Sequence, residues 1–227
     1  MKLISLHLPK TAGSSFRTTL EEVFGERLLC DYGDRSISKP PVQRHREVLS
    51  SALAVAEQGV EAHDCIHGHF LPVKYLPLAD SEPCTFITWM RHPVERLISH
   101  YHYWQQTYDP MLSAPHHKRV IEEKWSLEQF CLSKQFRNIY TQYLWGFPQS
   151  NFSFVGITEH YSEDMDYFSQ YVLKHPVNKH TVNVTSGGQA REQLPPSIQE
   201  AVERFHAADM QLYEQALRRR AKRHHIN

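Results

Sequence analysis

The chain begins with the stretch Leu3-Ile-Ser-Leu-His-Leu-Pro-Lys-Thr-Ala-Gly-Ser-Ser-Phe16, an apolar run that stops at a proline and continues into a loop of small residues. Residues 2–7 predict a short buried strand, because apolar residues dominate the run and Pro9 ends it. From Ser14 onward apolar residues recur at helical spacing, and we expect Ser14 or Ser15 to cap the new helix. The pattern predicts a strand, a tight loop and a helix.

The predicted loop has the composition of an anion-binding turn. Backbone N–H groups and the positive end of a helix dipole meet at such a turn. Lys10 adds a full positive charge, Gly13 lets the backbone approach an anion closely, and hydroxyl donors come from Thr11, Ser14 and Ser15. The P-loop order G-x-x-x-x-G-K-(S/T) is absent, because the lysine precedes the glycine. The alternative is an ordinary strand-to-helix turn with a solvated lysine.

Two segments together resemble a known family. The segment Pro9-Lys-Thr-Ala-Gly-Ser-Ser-Phe16 is similar to the 5′-phosphosulfate loop of the sulfotransferases, specifically the carbohydrate type, in which P-K-T-(A/G)-(G/S)-(S/T)-(S/T) follows the first strand. The segment Arg91-His-Pro-Val-Glu-Arg-Leu-Ile-Ser-His-Tyr101 is similar to the 3′-phosphate motif of the same family, R-(D/N)-P-x-x-R-x-x-S-x-Y. His92 stands where the family has Asp or Asn.

The resemblance implies a donor, 3′-phosphoadenosine 5′-phosphosulfate (PAPS), and no metal. The backbone from Thr11 to Ser15 would hold the 5′-phosphate, and Lys10 would neutralise the leaving phosphate as the S–O bond breaks. Arg91 would grip the 3′-phosphate with two parallel hydrogen bonds while Ser99 donates a hydroxyl. The residues implied in donor binding are Lys10, Thr11, Ala12, Gly13, Ser14, Ser15, Arg91 and Ser99.

A third motif is His67-Gly68-His69. Residues two apart on a strand face the same side, so we expect both imidazoles in one site, with Gly68 leaving space between them. The motif resembles the hexuronyl 2-O-sulfotransferases of heparan and dermatan sulfate biosynthesis, in which these histidines are the proposed acid–base residues. This implies His69 as the base, with His67 as the other candidate. One of the two could instead pack in the core, and a zinc site is less favoured because no third ligand has a natural spacing.

Strands that alternate with helices predict a single three-layer α/β/α domain over residues 1–227, built on a mostly parallel sheet. The predicted strands cover 2–7, 64–70, 84–90 and 152–157. The resemblance implies the P-loop-like sulfotransferase fold. Such sheets bind ligands at the carboxyl ends of their strands, and the segments at Pro9, His67 and Arg91 all lie at or near the ends of predicted strands. We therefore expect these loops to converge.

The remaining segments carry weaker signals. We expect a loop over 26–42, a polar excursion over 109–125 and one helix over 196–220, with the basic end after Arg218 fraying or, alternatively, binding a polyanionic acceptor. Tyr101, Tyr103 and Trp104 are predicted to be core residues, with a platform for a sugar ring as the less favoured alternative. By the resemblance, which reaches most of the chain, the polar loop at 183–188 would fold over the nucleotide.

Composition excludes several classes of protein. Lys plus Arg and Asp plus Glu both number 25, so no global field attracts nucleic acid or a membrane. The four cysteines have no paired spacing, which favours free thiols in a reducing compartment. No apolar stretch approaches the ~20 residues of a membrane span, and the first residues lack a signal-peptide core. We expect a soluble cytoplasmic protein.

Three functions are compatible with these patterns. The resemblance implies a PAPS-dependent O-sulfotransferase with a carbohydrate or glycoconjugate acceptor. A nucleoside or sugar kinase would share the α/β frame, but it needs a glycine-lysine P-loop and an aspartate pair for Mg²⁺, and neither is evident. A non-catalytic nucleotide-binding protein on the same frame would keep Arg91 and Ser99 but lose the lysine or the base, and this chain has both.

Overall fold

The strand predicted at the start of the chain lies in the middle of a five-stranded parallel sheet. The computed structural model describes residues 1–34, 38–180 and 193–225. The strands are β1 (Lys2–Leu6), β2 (Leu28–Asp31), β3 (Cys65–Gly68), β4 (Cys84–Met90) and β5 (Phe154–Ile157). Their order is β2-β3-β1-β4-β5, and every neighbouring pair is parallel. The predicted α/β class with a mostly parallel central sheet is confirmed.

The register brings the strand ends level with one another. Leu6, the last residue of β1, lies opposite Gly68 of β3 and Thr88 of β4. Asp31, the last residue of β2, also lies opposite Gly68. Because all strands run in one direction, the segments that follow them leave the same edge of the sheet.

Helices connect the strands and surround the sheet. The α-helices are α1 (Gly13–Phe24), α2 (Pro41–Gln58), α3 (Pro93–Thr107), α4 (Pro115–Glu122), α5 (Leu127–Cys131), α6 (Ile139–Tyr143), α7 (Tyr161–Tyr167), α8 (Pro196–Phe205) and α9 (Ala207–His225). In the described part of the chain, the 3₁₀ segments Gly25–Arg27, Pro72–Asp80, Lys134–Phe136, Gln149–Asn151 and Thr158–His160 join them, and a π-helical stretch, Phe168–Leu173, extends α7. Within the described part of the chain, no helix has both the length and the apolar character needed to cross a bilayer.

The alternation of side chains along the strands produces the three layers. One face of the sheet packs against α1, α7 and the π-helical stretch, in a cluster that includes Leu3, Trp89, Phe16 and Phe168. The other face packs against α2, α6 and α9, in a larger cluster that includes Ile4. Both faces are covered, which is the usual condition for an all-parallel sheet.

The prediction of a loop over 26–42 is wrong for β2 and for the start of α2. Leu28–Asp31 is a short, partly exposed edge strand without clear alternation, and its pairing with β3 defines it. A Cβ on Gly68 would lie 1.7 Å from the carbonyl oxygen of Asp31. Gly68 therefore allows β2 to approach β3, rather than separating two histidines as the sequence suggested.

Two helix predictions also need correction. The polar excursion over 109–125 contains α4, which begins at Pro115 as the first helical residue. The single helix expected over 196–220 is divided at His206 into α8 and α9. By contrast, the predicted capping box of α5 is present, with reciprocal hydrogen bonds between Ser126 and Gln129.

The basic end of α9 is anchored and does not fray as expected. Arg220 and Arg223 make ion pairs of 2.9 and 2.7 Å with Asp164 of α7, whose side chain is fully buried. Asp164 also accepts a 2.7 Å hydrogen bond from the backbone N–H of Ile157, at the end of β5. Arg219 donates to two backbone carbonyls, at Gln149 and Phe152. These arginines hold α9 against the sheet edge, so they do not form a free basic surface.

His206 joins the break between α8 and α9 to α5 and α6. Its Nδ1 accepts a 3.2 Å hydrogen bond from the backbone N–H of Asn138, so Nε2 carries the proton and donates to the carbonyl of Cys131 at 2.8 Å. The side chain is fully buried, and burial lowers the pKa of His206 to about 4. Burial likewise lowers the pKa of His67 to about 3.

These two lowered pKa values make stability depend on pH. Histidine has a pKa of about 6.5 in the unfolded chain, and at a pH between this value and the lower pKa in the folded protein, the unfolded chain binds protons that the folded protein does not. Stability is therefore full above about pH 6.5 and falls as the pH drops below that value. Each group contributes a loss of about 1.4 kcal/mol per pH unit within that window.

We expect the free energy of unfolding in urea to fall by at least about 2–3 kcal/mol from pH 7.5 to pH 5.5, because His67 and His206 together account for that much and the other imidazoles with lowered pKa values add to it. In His206→Gln, which has an amide in place of the titratable ring, the difference between the two pH values should be smaller. Equal urea midpoints at both pH values in the unsubstituted protein would contradict this account.

Candidate active site

The loop between β1 and α1 has an unusual backbone. Lys10 and Ala12 both adopt left-handed conformations, with φ of 66° and 65°. Each costs about 1–2 kcal/mol in a residue with a Cβ, and such strain is concentrated at functional sites. Ala12 is the N-cap of α1, with no side-chain capping bond, so the expectation that Ser14 or Ser15 caps this helix is wrong.

The N-terminus of α1 directs backbone N–H groups out of the loop. The first intrahelical bond runs from Phe16 N–H to the carbonyl of Ala12, at 3.1 Å. The turn that begins at Gly13 therefore precedes the intrahelical ladder, and N–H groups of a first turn point along the axis towards the space in front of the helix. Together with the positive end of the helix dipole, this is a favourable place for an anion.

Gly13 is required at its position by a neighbouring ring. A Cβ on Gly13 would lie 1.9 Å from Cδ2 and Nε2 of His7. The imidazole of His7, the first residue after β1, therefore packs directly against the start of α1. This close approach fixes the distance between the strand end and the loop.

A cavity of about 1090 Å³ opens at the carboxyl edge of the sheet. It brings together Lys10 and the turn of α1 from the first strand connection, and Arg91 and Ser99 from the segment that follows β4. The predicted site residues that line it are Lys10, Ala12, Gly13, Ser14, Ser15, His69, Arg91 and Ser99. The loop at 183–188, expected to cover the nucleotide, lies outside the described residues.

Two predicted site residues do not line this cavity. The hydroxyl of Thr11 donates to the carbonyl of Leu8 at 2.9 Å, and the residue is fully buried, so the hydroxyl stabilises the loop from inside. His67 is 1% exposed, and its Nδ1 lies 2.9 Å from Ser5 Oγ. The expectation that both imidazoles of the H-G-H motif open onto one site is wrong for His67. It belongs to the core, because α1 covers that face of β3.

Lys10 lies against an aromatic ring. Its Nζ is 3.8 Å from the ring centroid of Tyr103 on α3, within the range of a cation–π interaction. Tyr103 is 46% exposed, so the prediction that it is a core residue is wrong. Trp104 is partly buried and lines the cavity, whereas Tyr101 is a core residue as expected.

Contacts of both the backbone and the side chain fix the position of Arg91. The hydroxyl of Tyr140 donates to the carbonyl of Arg91 at 2.6 Å and accepts from its N–H at 3.1 Å. The backbone N–H of Tyr140 in turn donates to the buried carboxylate of Asp209 at 3.0 Å. The guanidinium of Arg91 pairs with Glu95, 3.5 Å away. A chain of contacts from α9 thus positions the arginine at the cavity.

The turn around His92 is stabilised by a residue of the segment that follows β5. The backbone N–H of His92 donates to Glu159 at 2.8 Å, and Pro93 occupies the first helical position of α3. The ring of His92 lies edge-on to Tyr213, with 5.4 Å between centroids. A histidine at position 92 is therefore compatible with a strand-to-helix turn.

His7 and Tyr32 are among the cavity residues that the sequence motifs did not indicate. His7 Nδ1 lies 2.8 Å from the hydroxyl of Tyr32, which follows β2. The ring of His7 also stacks on His67 at 5.1 Å and lies 4.4 Å from His69. Burial and the neighbouring His69 and His67 lower the pKa of His7 well below its usual value. Tyr32 could be identified as a cavity residue only once β2 was known, because it follows that strand. His7 could have been identified from the sequence, because it is the last polar residue before Pro9.

The geometry of His69 assigns its tautomer. Nδ1 lies 2.5 Å from the backbone carbonyl of His7, and since a carbonyl can only accept, Nδ1 carries the proton. Nε2 is then the nitrogen with the lone pair. Burial lowers the pKa of His69, so the neutral form predominates at neutral pH. The imidazole lines the cavity and can accept a proton from a bound hydroxyl group.

The far side of the cavity has an unsatisfied polar group. Thr158 follows β5, and its Oγ1 is buried without a hydrogen-bond partner among the described residues. Buried hydroxyl groups without partners are uncommon in proteins. A ligand that extends from the α1 turn past Arg91 towards β5 would supply a partner. The described residues contain no group of three His, Cys, Asp or Glu side chains placed to hold a metal ion.

Solved structures with a similar fold include two sulfotransferases. No protein-family model matches the chain, and no curated protein matches it. A sulfotransferase from Alicyclobacillus acidocaldarius is 15% identical over 92% of this chain and 92% of its own, with a TM-score of 0.46. The mouse sulfotransferase SULT7A1, solved in complex with PAP, is 12% identical over 92% of this chain and 84% of its own, also at 0.46. Similarities this low do not indicate an activity.

We expect Gly13→Ala to destabilise the protein by about 1–3 kcal/mol, because the new methyl group overlaps the ring of His7. Gly33→Ala is the matched control, since the nearest atom, Asp31 Oδ1, would lie 4.0 Å from its Cβ. Urea unfolding measures both. A Gly13→Ala variant as stable as Gly33→Ala would show that the close contact with His7 is incorrect.

Proposed function

We propose that this protein is a sulfotransferase that moves a sulfuryl group from PAPS to a hydroxyl of a saccharide or glycoconjugate. The observation that carries the proposal is the shared cavity of two sequence motifs that are 81 positions apart at Lys10 and Arg91. Both resemble nucleotide-phosphate motifs of one enzyme family, and both open onto the same space. A chance match of either motif would not require this proximity.

In the proposed complex the donor lies across β1, β4 and β5. The first turn of α1 binds the 5′-phosphate through its backbone N–H groups. Arg91 and Ser99 bind the 3′-phosphate, which distinguishes PAPS from ATP. The adenosine extends towards Thr158, whose buried hydroxyl then gains a partner. The residues present therefore suit a bisphosphorylated nucleotide.

The transfer is an in-line displacement at sulfur. The acceptor oxygen forms a bond to sulfur while the bond from sulfur to the bridging oxygen of the 5′-phosphosulfate breaks. Lys10 neutralises the negative charge that develops on the leaving phosphate, and adenosine 3′,5′-bisphosphate (PAP) is released. Nε2 of His69 takes the proton of the acceptor hydroxyl, which agrees with the tautomer assigned from its contact with His7.

We expect PAP to bind more tightly than ATP or AMP, because only PAP offers a 3′-phosphate to Arg91. Arg91→Ala should weaken PAP binding about 10- to 100-fold, as expected for loss of charged hydrogen bonds, and should change AMP affinity little. Arg119→Ala, which removes an exposed guanidinium that pairs with Glu123, is the control. Calorimetry measures each affinity. Tighter binding of ATP than of PAP would favour the kinase alternative.

We expect His69→Ala to reduce sulfuryl transfer from labelled PAPS about 10²- to 10⁴-fold while PAP affinity stays within a few-fold, because the base acts on the acceptor. Lys10→Ala should reduce transfer and also weaken donor binding. His63→Ala is the control, since His63 precedes β3 and lies at the opposite edge of the sheet. A His69→Ala enzyme with full activity would remove His69 from the mechanism, and PAP binding without any transfer would favour the non-catalytic alternative.

A further inference from the structure

Helix α2 carries apolar side chains on its solvent side. Its buried positions are Arg44, Val48 and Ala52. Val42, Leu49 and Leu53 are instead 72%, 49% and 67% exposed. A surface helix normally has polar side chains on the face that points to solvent, so an apolar row on that face needs a separate explanation.

The exposed apolar residues of α2 form one row. At about 100° per residue, the directions of Val42, Leu49 and Leu53 around the helix axis differ by no more than about 40°. Ala56, also exposed, continues the row by one turn. These four residues are called the α2 stripe. Leu49, Leu53 and Ala56 have the alternating spacing of four and three residues that is found where one helix packs along another.

The α2 stripe lies outside the candidate active site. None of its four residues lines the cavity at the carboxyl edge of the sheet. The core cluster beneath the helix includes Val48 and the partly buried Val55, so a different face of α2 packs against the sheet. Contiguous apolar rows on a protein surface commonly mark an interaction surface, because their exposure to water is unfavourable.

Two opposite charges lie along one edge of the α2 stripe. Arg46 and Glu57 are both exposed, and they differ by about 20° in direction around the helix axis and by about 17 Å along it. An antiparallel second copy of α2, related by a twofold axis near position 51, would place each arginine opposite the glutamate of the other copy. The same axis would bring Leu49 within about 1.5 Å, along the helix direction, of Leu53 in the other copy. A parallel second copy would put the two charged edges on opposite sides of the contact, and both ion pairs would be lost.

We propose that two copies of this protein associate through their α2 helices, packed antiparallel along the α2 stripe, with two Arg46–Glu57 ion pairs between the copies. The charge pattern favours a second copy over an unrelated partner, because the arginine and the glutamate complement each other under a twofold axis. A single helix of 18 residues offers a small contact, so we expect a reversible dimer with a dissociation constant of about 10–100 µM. The proposal does not depend on the proposed function.

The first test is the molecular mass of the full chain in solution. Sedimentation equilibrium from about 2 to about 300 µM spans the expected dissociation constant, so the weight-average mass should rise from that of one chain towards that of two. A monomer at every concentration would overturn the proposal and would leave the α2 stripe to another occupant. A mass that exceeds two chains would also contradict it, because a twofold contact is closed.

Two exposed leucines test the location of the contact. Leu53→Asp puts a charge in the middle of the α2 stripe and should raise the dissociation constant of the dimer at least about tenfold. Leu112→Asp, at an 85% exposed position between α3 and α4, is the matched control and should leave it unchanged. Both positions are exposed, so equal urea midpoints should show that both variants fold. A Leu53→Asp variant that dimerises as well as the unsubstituted protein would contradict the placement.

Exchange of charges tests the antiparallel arrangement. Arg46→Glu and Glu57→Arg each replace both ion pairs with like charges, and each should weaken self-association about tenfold. An equimolar mixture of these two variants should form a mixed dimer about as tightly as the unsubstituted protein, because each contact then joins opposite charges. Arg204→Glu, on α8, changes the net charge equally and is the control, since mixing it with Glu57→Arg should give no such gain. Failure of the first mixture to associate would overturn the antiparallel pairing.

Discussion

Parallel pairing of β1 with both of its neighbours is the constraint on which the site depends. Parallel strands end at one edge, and here Leu6, Gly68 and Thr88 are level in the register. The three segments that follow β1, β3 and β4 must therefore leave the sheet side by side. A slip of one residue in either pairing would reverse which side chains face each layer. It would also move His69 or Arg91 relative to the α1 turn.

Two buried carboxylates connect this edge to the end of the chain. Asp164 accepts hydrogen bonds and ion pairs from the β5 end and from the arginines of α9, and Asp209 at the start of α9 binds the first N–H groups of α6. Tyr140 transmits the position of α6 to Arg91. The last helix, far away in sequence, thus determines where a predicted phosphate ligand stands. The buried charges are balanced by several partners each, as buried ions must be.

The electrostatic character of the site follows from its burial. Imidazole rings at the strand ends are largely withdrawn from water, so their pKa values fall and they stay neutral. Lys10, Arg91 and the N-terminus of α1 bring positive charge to the cavity wall, and the buried Arg96 adds to the field at His100 and Tyr143. Neutral imidazoles and aromatic rings, among them His69 and Tyr32, lie on the β3 and β2 side of the cavity.

Much was determined by local sequence: the α/β class, the central strand, the loop with Lys10 and Gly13, and the turn at Arg91. These features depend on apolar periodicity, turn formers and a proline, all of which act over a few residues. The edge strand β2, and with it Tyr32, could be recognised only in the tertiary structure, because pairing with β3 creates it. Tertiary packing likewise separated His67 from His69. One ring is covered by α1 and the other lies past the strand end, a difference that two-residue spacing does not reveal.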